Sequence, residues 1–166
     1  VGMLFQGVST AMTFGMGTAY AKSIGMTSSQ ASLFLVAVTI GTMLLQYPVG
    51  RLSDVLDRRL VIFLVAMISA MAAAAATFFS AEQFWPLITL TAIYGGFSMT
   101  IYSLCIAHAN DYLTPSQIVG TASTLIMVNG IGAIVGSPLI AVFMDLLSNR
   151  AYFIGLAIIH VTTGIY

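Results

Sequence analysis

The chain has 166 residues, of which 59% are hydrophobic and only 6% charged, with five Lys and Arg balanced by five Asp and Glu. A soluble domain carries about 25% charged residues, and so few charges cannot coat a water-soluble globule of this size, so most of the surface has to face lipid. Zero net charge and scattered basic residues exclude a nucleic-acid binder, and the lack of any long polar segment excludes an aqueous domain.

Turn residues and charges divide the chain into six apolar runs at 2–21, 28–50, 60–79, 86–109, 115–144 and 151–166. Their length and continuous hydrophobicity predict membrane-spanning helices, since barrel strands would show alternating segments of about ten residues. The expected fold is an all-α membrane protein forming one six-helix bundle over 1–166. In the first run Gln6, Thr10, Thr13 and Gly17 recur at helical spacing and form one polar face. Gly25 is placed to end that helix in a left-handed cap. Thr27-Ser28-Ser29-Gln30 reads as a capping box opening the second run, where Thr39, Thr42 and Gln46 share a face. The third run holds only Ser69 and Thr77 as polar side chains and is expected to be a lipid-facing support helix. Trp85 and Pro86 open the fourth, which carries Thr91, Tyr94, Ser98, Tyr102, Cys105 and His108 at steps of three and four. A second capping box, Thr114-Pro115-Ser116-Gln117, opens the fifth, where Asn129, Gly132 and Gly136 share a face. The sixth, about 24 Å long at helical rise, falls short of a hydrocarbon core of about 30 Å and reads as cut short. With no initiator Met at Val1 and no charged stop after the last apolar run at Tyr166, the chain is expected to be a piece of a longer protein, and Val1 onward lacks a signal-peptide start. A lone Cys105 leaves no internal disulfide.

Polar groups in hydrocarbon are costly unless they pair or face water. Gln6, Thr10, Thr13, Tyr94, Ser98, Tyr102 and Asn129 are therefore the candidates for lining a central cavity, where amides, hydroxyls and aromatic rings suit an organic solute. The spacing of Gly132 and Gly136 points to close helix packing. No Asp, Glu, Lys or Arg falls at the centre of a run, and His108 and His160 are read as hydrogen-bonded residues, not proton relays. No residues cluster at metal-ligand spacing, and no cofactor is implied. Arg51, Arg58 and Arg59 place the second connection, 51–59, on the cytoplasmic side. The boundaries also repeat: Thr27 and Gln30, Pro48, Asp54 and Arg59 are matched by Thr114 and Gln117, Pro138, Asp145 and Arg150. Three helices separate the copies, which must then point in opposite directions, the pattern of an inverted 3+3 repeat in a transporter.

The segment Gly50-Arg51-Leu52-Ser53-Asp54-Val55-Leu56-Asp57-Arg58-Arg59 resembles the signature loop of the major facilitator superfamily, with Gly50, Leu52, Asp54, Arg58 and Arg59 matching and Val55 and Asp57 departing from it. Gln46-Tyr47-Pro48-Val49 before it is also usual there. His108-Ala109-Asn110-Asp111, Thr114 to Gln117 and the glycine-rich Asn129 to Pro138 look like the tenth and eleventh helices of a poorly characterised bacterial branch. The resemblance implies the C-terminal six-helix half of a twelve-helix transporter, helices seven to twelve, in the inner (plasma) membrane. Its partners would be the bilayer, the N-terminal half and a small-molecule substrate. It further implies that Gly50, Asp54, Arg58 and Arg59 form a conformational latch, Gly50 allowing close backbone approach. His160 would lie on a peripheral helix. The competing classes are a standalone six-helix channel, which would show filter-like repeats or charged rings, and an intramembrane enzyme, which would need a nucleophile setting that neither Ser98 nor Ser137 has.

Overall fold

The computed structural model describes all residues, 1–166, and contains six α-helices. These are α1 (Gly2–Ser23), α2 (Ser28–Val55), α3 (Arg58–Ala76), α4 (Phe84–Asn110), α5 (Ile118–Leu146) and α6 (Ala151–Ile165), with a short 3₁₀ turn, Ala81–Gln83, leading into α4. Helices α2 to α5 are long and apolar enough to cross a membrane, whereas α6 is apolar but shorter. Helix α1 is long enough, but Gln6, Ser9, Thr10 and Thr13 dilute its apolar character. Only 44 of the 166 residues are buried, and the exposed ones include many Leu, Ile, Val, Phe and Met side chains. An outside this apolar is what a bilayer-facing bundle requires.

Several boundaries follow local chemistry. Gly25, at φ 92°, is the one residue with positive φ, and its N–H reaches Lys22 O at 3.0 Å while Met26 N–H reaches Ala21 O at 3.0 Å. That pairing closes α1 in a Schellman motif. Thr27 and Gln30 make a reciprocal capping box, with Gln30 N–H on Thr27 Oγ1 at 3.3 Å and Thr27 N–H on Gln30 Oε1 at 2.9 Å.

Other boundaries differ from expectation. The second box is only half made. Gln117 Oε1 accepts from Thr114 N–H at 3.1 Å, but Gln117 N–H goes to the Thr114 carbonyl at 2.9 Å. Residues 114–117 therefore form a turn, and α5 starts at Ile118 instead of residue 115. Helix α3 stops at Ala76, short of 79, because Thr77, Phe78 and Phe79 bond to carbonyls three residues back. The largest shift is in α2, which runs through Pro48 and Gly50 to Val55. The signature segment is thus mostly helix, and Leu56 and Asp57 alone connect it to α3. Asp57 is the N-cap of α3, accepting from the N–H groups of Arg59 at 2.8 Å and Leu60 at 3.3 Å. Asp at this position satisfies two of the orphan donors of the helix start.

Helix α5 lies along α1, α2 lies along α4, and α3 packs between α4 and α6. Both long seams are built on glycine. A Cβ at Gly132 or Gly136 would run into the Leu4 or Val8 carbonyl, and one at Gly41 or Gly95 into the backbone of Ala92 or Val38. One end of the bundle is filled by aromatic rings: Tyr20 stacks on Tyr152 at 4.5 Å and meets Phe153 edge-on at 5.1 Å, with Phe34 alongside. The end that holds the α2–α3 connection is filled by Val49, Val61, Val65, Ala66, Ile101 and Leu104.

Candidate functional site

Two polar constellations stand out in this apolar frame, one at a helix end and one in the interior. At the end, Arg58 opens α3 and reaches two carboxylates. Its Nε lies 2.7 Å from Asp111 Oδ2 after the last residue of α4, and its Nη2 lies 3.3 Å from Asp54 Oδ1 on α2. Nη1 donates to Ser53 Oγ at 3.4 Å. One guanidinium thus joins three helices, a task its planar fork of donors suits better than an ammonium. Asp111 is the shorter and less exposed of the two acid partners, at 45% against 67% for the Asp54 side chain. Arg59, beside it, makes no ion pair. A cavity of about 160 Å³ lies under this cluster between α2 and α4, lined by Gln46, Ser53, Asp54, Thr100 and Ser103 among others. Gly50 also lines it, but a Cβ there would meet nothing within 4 Å. In this chain Gly50 permits no close backbone approach; its carbonyl instead accepts from Ser53 Oγ at 2.9 Å.

In the interior, α1, α4 and α6 are joined by a run of hydroxyls ending on a histidine. His160 Nδ1 lies 2.8 Å from the Leu156 carbonyl and Nε2 lies 2.8 Å from Ser98 Oγ. A carbonyl only accepts, so the proton sits on Nδ1, and Nε2 of the neutral ring accepts from Ser98. Ser98 Oγ is 3.4 Å from Ser9 Oγ, which is 2.8 Å from the Tyr94 hydroxyl. Thr13 donates to the Ser9 carbonyl at 2.8 Å and stands 3.2 Å from the Tyr94 hydroxyl. The Tyr94 ring meets the His160 ring edge-on at 5.3 Å. All five side chains are buried, and no buried side-chain polar atom lacks a partner.

Of the seven cavity candidates, the structure brings Thr13, Tyr94 and Ser98 together in this run. Gln6 is buried beside them on α1 and donates to the half-buried Thr10 at 3.4 Å. Tyr102 is half-buried lower on α4, and Asn129 sits in the α1–α5 seam, donating to the Met3 carbonyl at 3.2 Å. Ser9 and His160 join the run from outside those seven candidates. Ser9 lies one turn before Thr13 on the same face, a spacing that would have found it. His160 is not peripheral: it is 1% exposed, because α6 packs between α1 and α3 and turns it inward.

The model of the Major Facilitator Superfamily matches residues 1–166. The chain belongs to this superfamily. Similar curated proteins are the uncharacterized MFS-type transporters YcaD of Salmonella paratyphi B (strain ATCC BAA-1250 / SPB7), Salmonella newport (strain SL254) and Salmonella heidelberg (strain SL476), each 26% identical over 165 residues. Those matches cover 94% of this chain and 40% of each relative, so the chain spans about two fifths of the length of the curated relatives it matches. The superfamily and the apolar helices together make this a multi-pass membrane protein.

Proposed function

We propose that this chain is the C-terminal six-helix half of a secondary transporter that moves a small organic solute across a bacterial inner membrane by alternating access. One observation carries the reading: in a chain the superfamily model matches end to end, the signature segment is folded into an Arg58 joint binding α2, α3 and α4 at one end of the bundle. Such a joint can be paired or released, as a latch between end-states requires. The arginines around it favour the cytoplasmic side.

Two further features support the half-transporter reading. Exchanging α1 with α4, α2 with α5 and α3 with α6 maps the α1–α5 seam onto the α4–α2 seam, as an inverted 3+3 repeat would. Pro48 and Pro138 sit inside the two exchanged helices. In addition, Gln46 is exposed on α2 with no hydrogen bond inside the chain. An amide in that position needs water or a polar partner, which the cavity under the Arg58 joint, a second bundle or a central cavity supplies. Thr10, Tyr102 and Asn129 are the half-buried candidates for meeting solute there, while Thr13, Tyr94 and Ser98 would act from behind them.

The test uses the full-length carrier in liposomes, screened by counterflow against a panel of organic solutes. Saturable exchange of one class is expected. With that solute, Asp111→Asn should slow turnover more than Asp54→Asn, both with little change in apparent affinity, because Asp111 holds the shorter contact to Arg58. Unchanged turnover in both would remove the latch role.

A further inference from the structure

At the end of the bundle opposite the Arg58 joint lies a cavity of about 330 Å³, walled by the last turn of α1 and by the internal connections α1–α2, α3–α4 and α5–α6. That volume falls in the range of ligand pockets, about 300 to 1,000 Å³. Helix α3 runs from the joint to this cavity, a separation of about 28 Å at helical rise. Tyr20 is the decisive residue in its wall. It is only 3% exposed, its ring stacks on Tyr152 at 4.5 Å, and its hydroxyl makes no hydrogen bond inside the chain. No buried side-chain polar atom lacks a partner, so this hydroxyl is not sealed in the core but opens on the cavity. A hydroxyl held there by a packed ring is a preset donor for a molecule that enters.

The charge of the cavity is positive. Arg150 is the one charged residue lining it, and both ion pairs of the chain belong to Arg58. Glu82 and Asp145, the acids nearest to its walls along the chain, do not line it. Arg150 is also the N-cap of α6, a helix start that adds partial positive charge. Ser80 and Ser148 bring hydroxyls free to bond a guest, whereas Thr77 and Asn149 already donate to the Ala74 and Ser23 carbonyls at 2.6 and 3.1 Å. Ile24, Phe78 and Phe79 supply an apolar side. A guanidinium and hydroxyl donors facing hydrocarbon and aromatic rings are complementary to an anion joined to an apolar group.

We propose that this cavity binds a small organic anion with an apolar group, its carboxylate or phosphate held by Arg150 and the Tyr20 hydroxyl and its apolar part set against Phe78 and Phe79. A free solute and the headgroup of an anionic lipid share this chemistry. The site has no residue in common with the Arg58 joint or with the hydroxyl run that ends on His160, and its binding does not depend on whether the protein is a carrier.

The test reads binding to the full-length protein in phosphatidylcholine nanodiscs, by fluorine NMR with para-fluorobenzoate as the probe. Saturable broadening of the probe signal is expected, reversed by excess benzoate, and none with para-fluorobenzamide, the neutral analogue. Arg150→Gln should weaken binding about tenfold and Tyr20→Phe about threefold, as the loss of a charge-assisted and of a neutral hydrogen bond predicts. Arg150→Lys should keep most of it. Lys22→Gln, which removes an exposed cation on the last turn of α1 but outside this cavity, should change nothing. Thermal unfolding of Tyr20→Phe should match the parent protein, which separates a lost ligand contact from a lost core contact. A second arm identifies the source by native mass spectrometry of lipid retained from an equal mixture of phosphatidylglycerol and phosphatidylcholine. Preferential retention of phosphatidylglycerol that Arg150→Gln abolishes assigns the bound anion to a lipid headgroup, and equal retention beside a bound probe assigns it to a free solute. No saturable binding of the acid, equal binding of the amide, or undiminished binding in a folded Arg150→Gln protein would overturn the proposal. So would an equal loss in Lys22→Gln, since the attraction would then belong to that whole end of the bundle.

Discussion

At the scale of single residues, the protein handles polarity by pairing it. The hydroxyl run from Thr13 through Tyr94, Ser9 and Ser98 to His160 has every member satisfied, and in a low-dielectric interior such a run is favourable only when complete. His160 makes it complete. With Nδ1–H committed to its own helix, Nε2 is the acceptor that gives the Ser98 hydroxyl a fixed direction. A double-mutant cycle of His160→Ala and Ser98→Ala, read by thermal unfolding in detergent, should therefore give a coupling of about 0.6 kcal/mol and no more than about 1.7, the span found for hydrogen bonds between membrane helices. Each single substitution should cost more than the coupling, because His160→Ala also leaves a cavity. Zero coupling would mean that the two side chains merely lie close. The same logic separates Arg58 from Arg59: one has two acid partners, and the other has none.

At the scale of elements, α5 is attached to the bundle chiefly by one seam. Only Gly132, Gly136 and Ile140 of its residues are buried, and the first two let its backbone approach α1, with Ser137 Oγ donating to the Ala11 carbonyl at 2.8 Å. Gly132→Val should thus destabilise the protein by about 1 to 3 kcal/mol through overpacking. Gly130→Ala, where an added Cβ meets nothing within 4 Å, should be neutral or stabilising by up to about 1 kcal/mol from helix propensity. Thermal unfolding of both in the same detergent checks this, and equal effects would show that the seam is loose. The sequence made such elements legible to different degrees. Apolar runs bounded by Gly25, the Thr27 box and Trp85 located the helices, because length and hydrophobicity are local properties. The extension of α2 beyond Gly50 to Val55 was not legible, since it depends on Ser53, Asp54 and the distant Asp111 holding the last turns through Arg58. Nor was the joining of Ser9, Ser98 and His160, which are far apart in the chain. Spacing along α1 and α4 named their polar faces but not which neighbour each face would meet.

At the scale of the whole molecule, the bundle is unevenly finished. Its α3 side is closed by α4 and α6, with Val61, Val65, Ala66, Ala72 and Ala73 buried, whereas α2 and α5 each lean on one principal neighbour and expose most of their length. The exposed side of α2 is not uniformly apolar: it includes Ser32, Thr39 and Gln46. Lipid satisfies the apolar positions, while the Gln46 amide, which also lines the polar cavity under the Arg58 joint, needs water or a polar partner. On the half-transporter reading, a second bundle packed on α2 and α5 covers that side. Residues 1–166 reconstituted alone in liposomes should accordingly give no saturable flux of a solute that the full-length carrier exchanges, even when circular dichroism shows the helices intact. Co-reconstitution with the separately expressed preceding half should restore flux to a measurable fraction of the intact carrier. Robust flux by residues 1–166 alone would overturn the half-transporter reading in favour of a self-contained six-helix pathway, and Gln46 would then be the first residue to examine for contact with the solute.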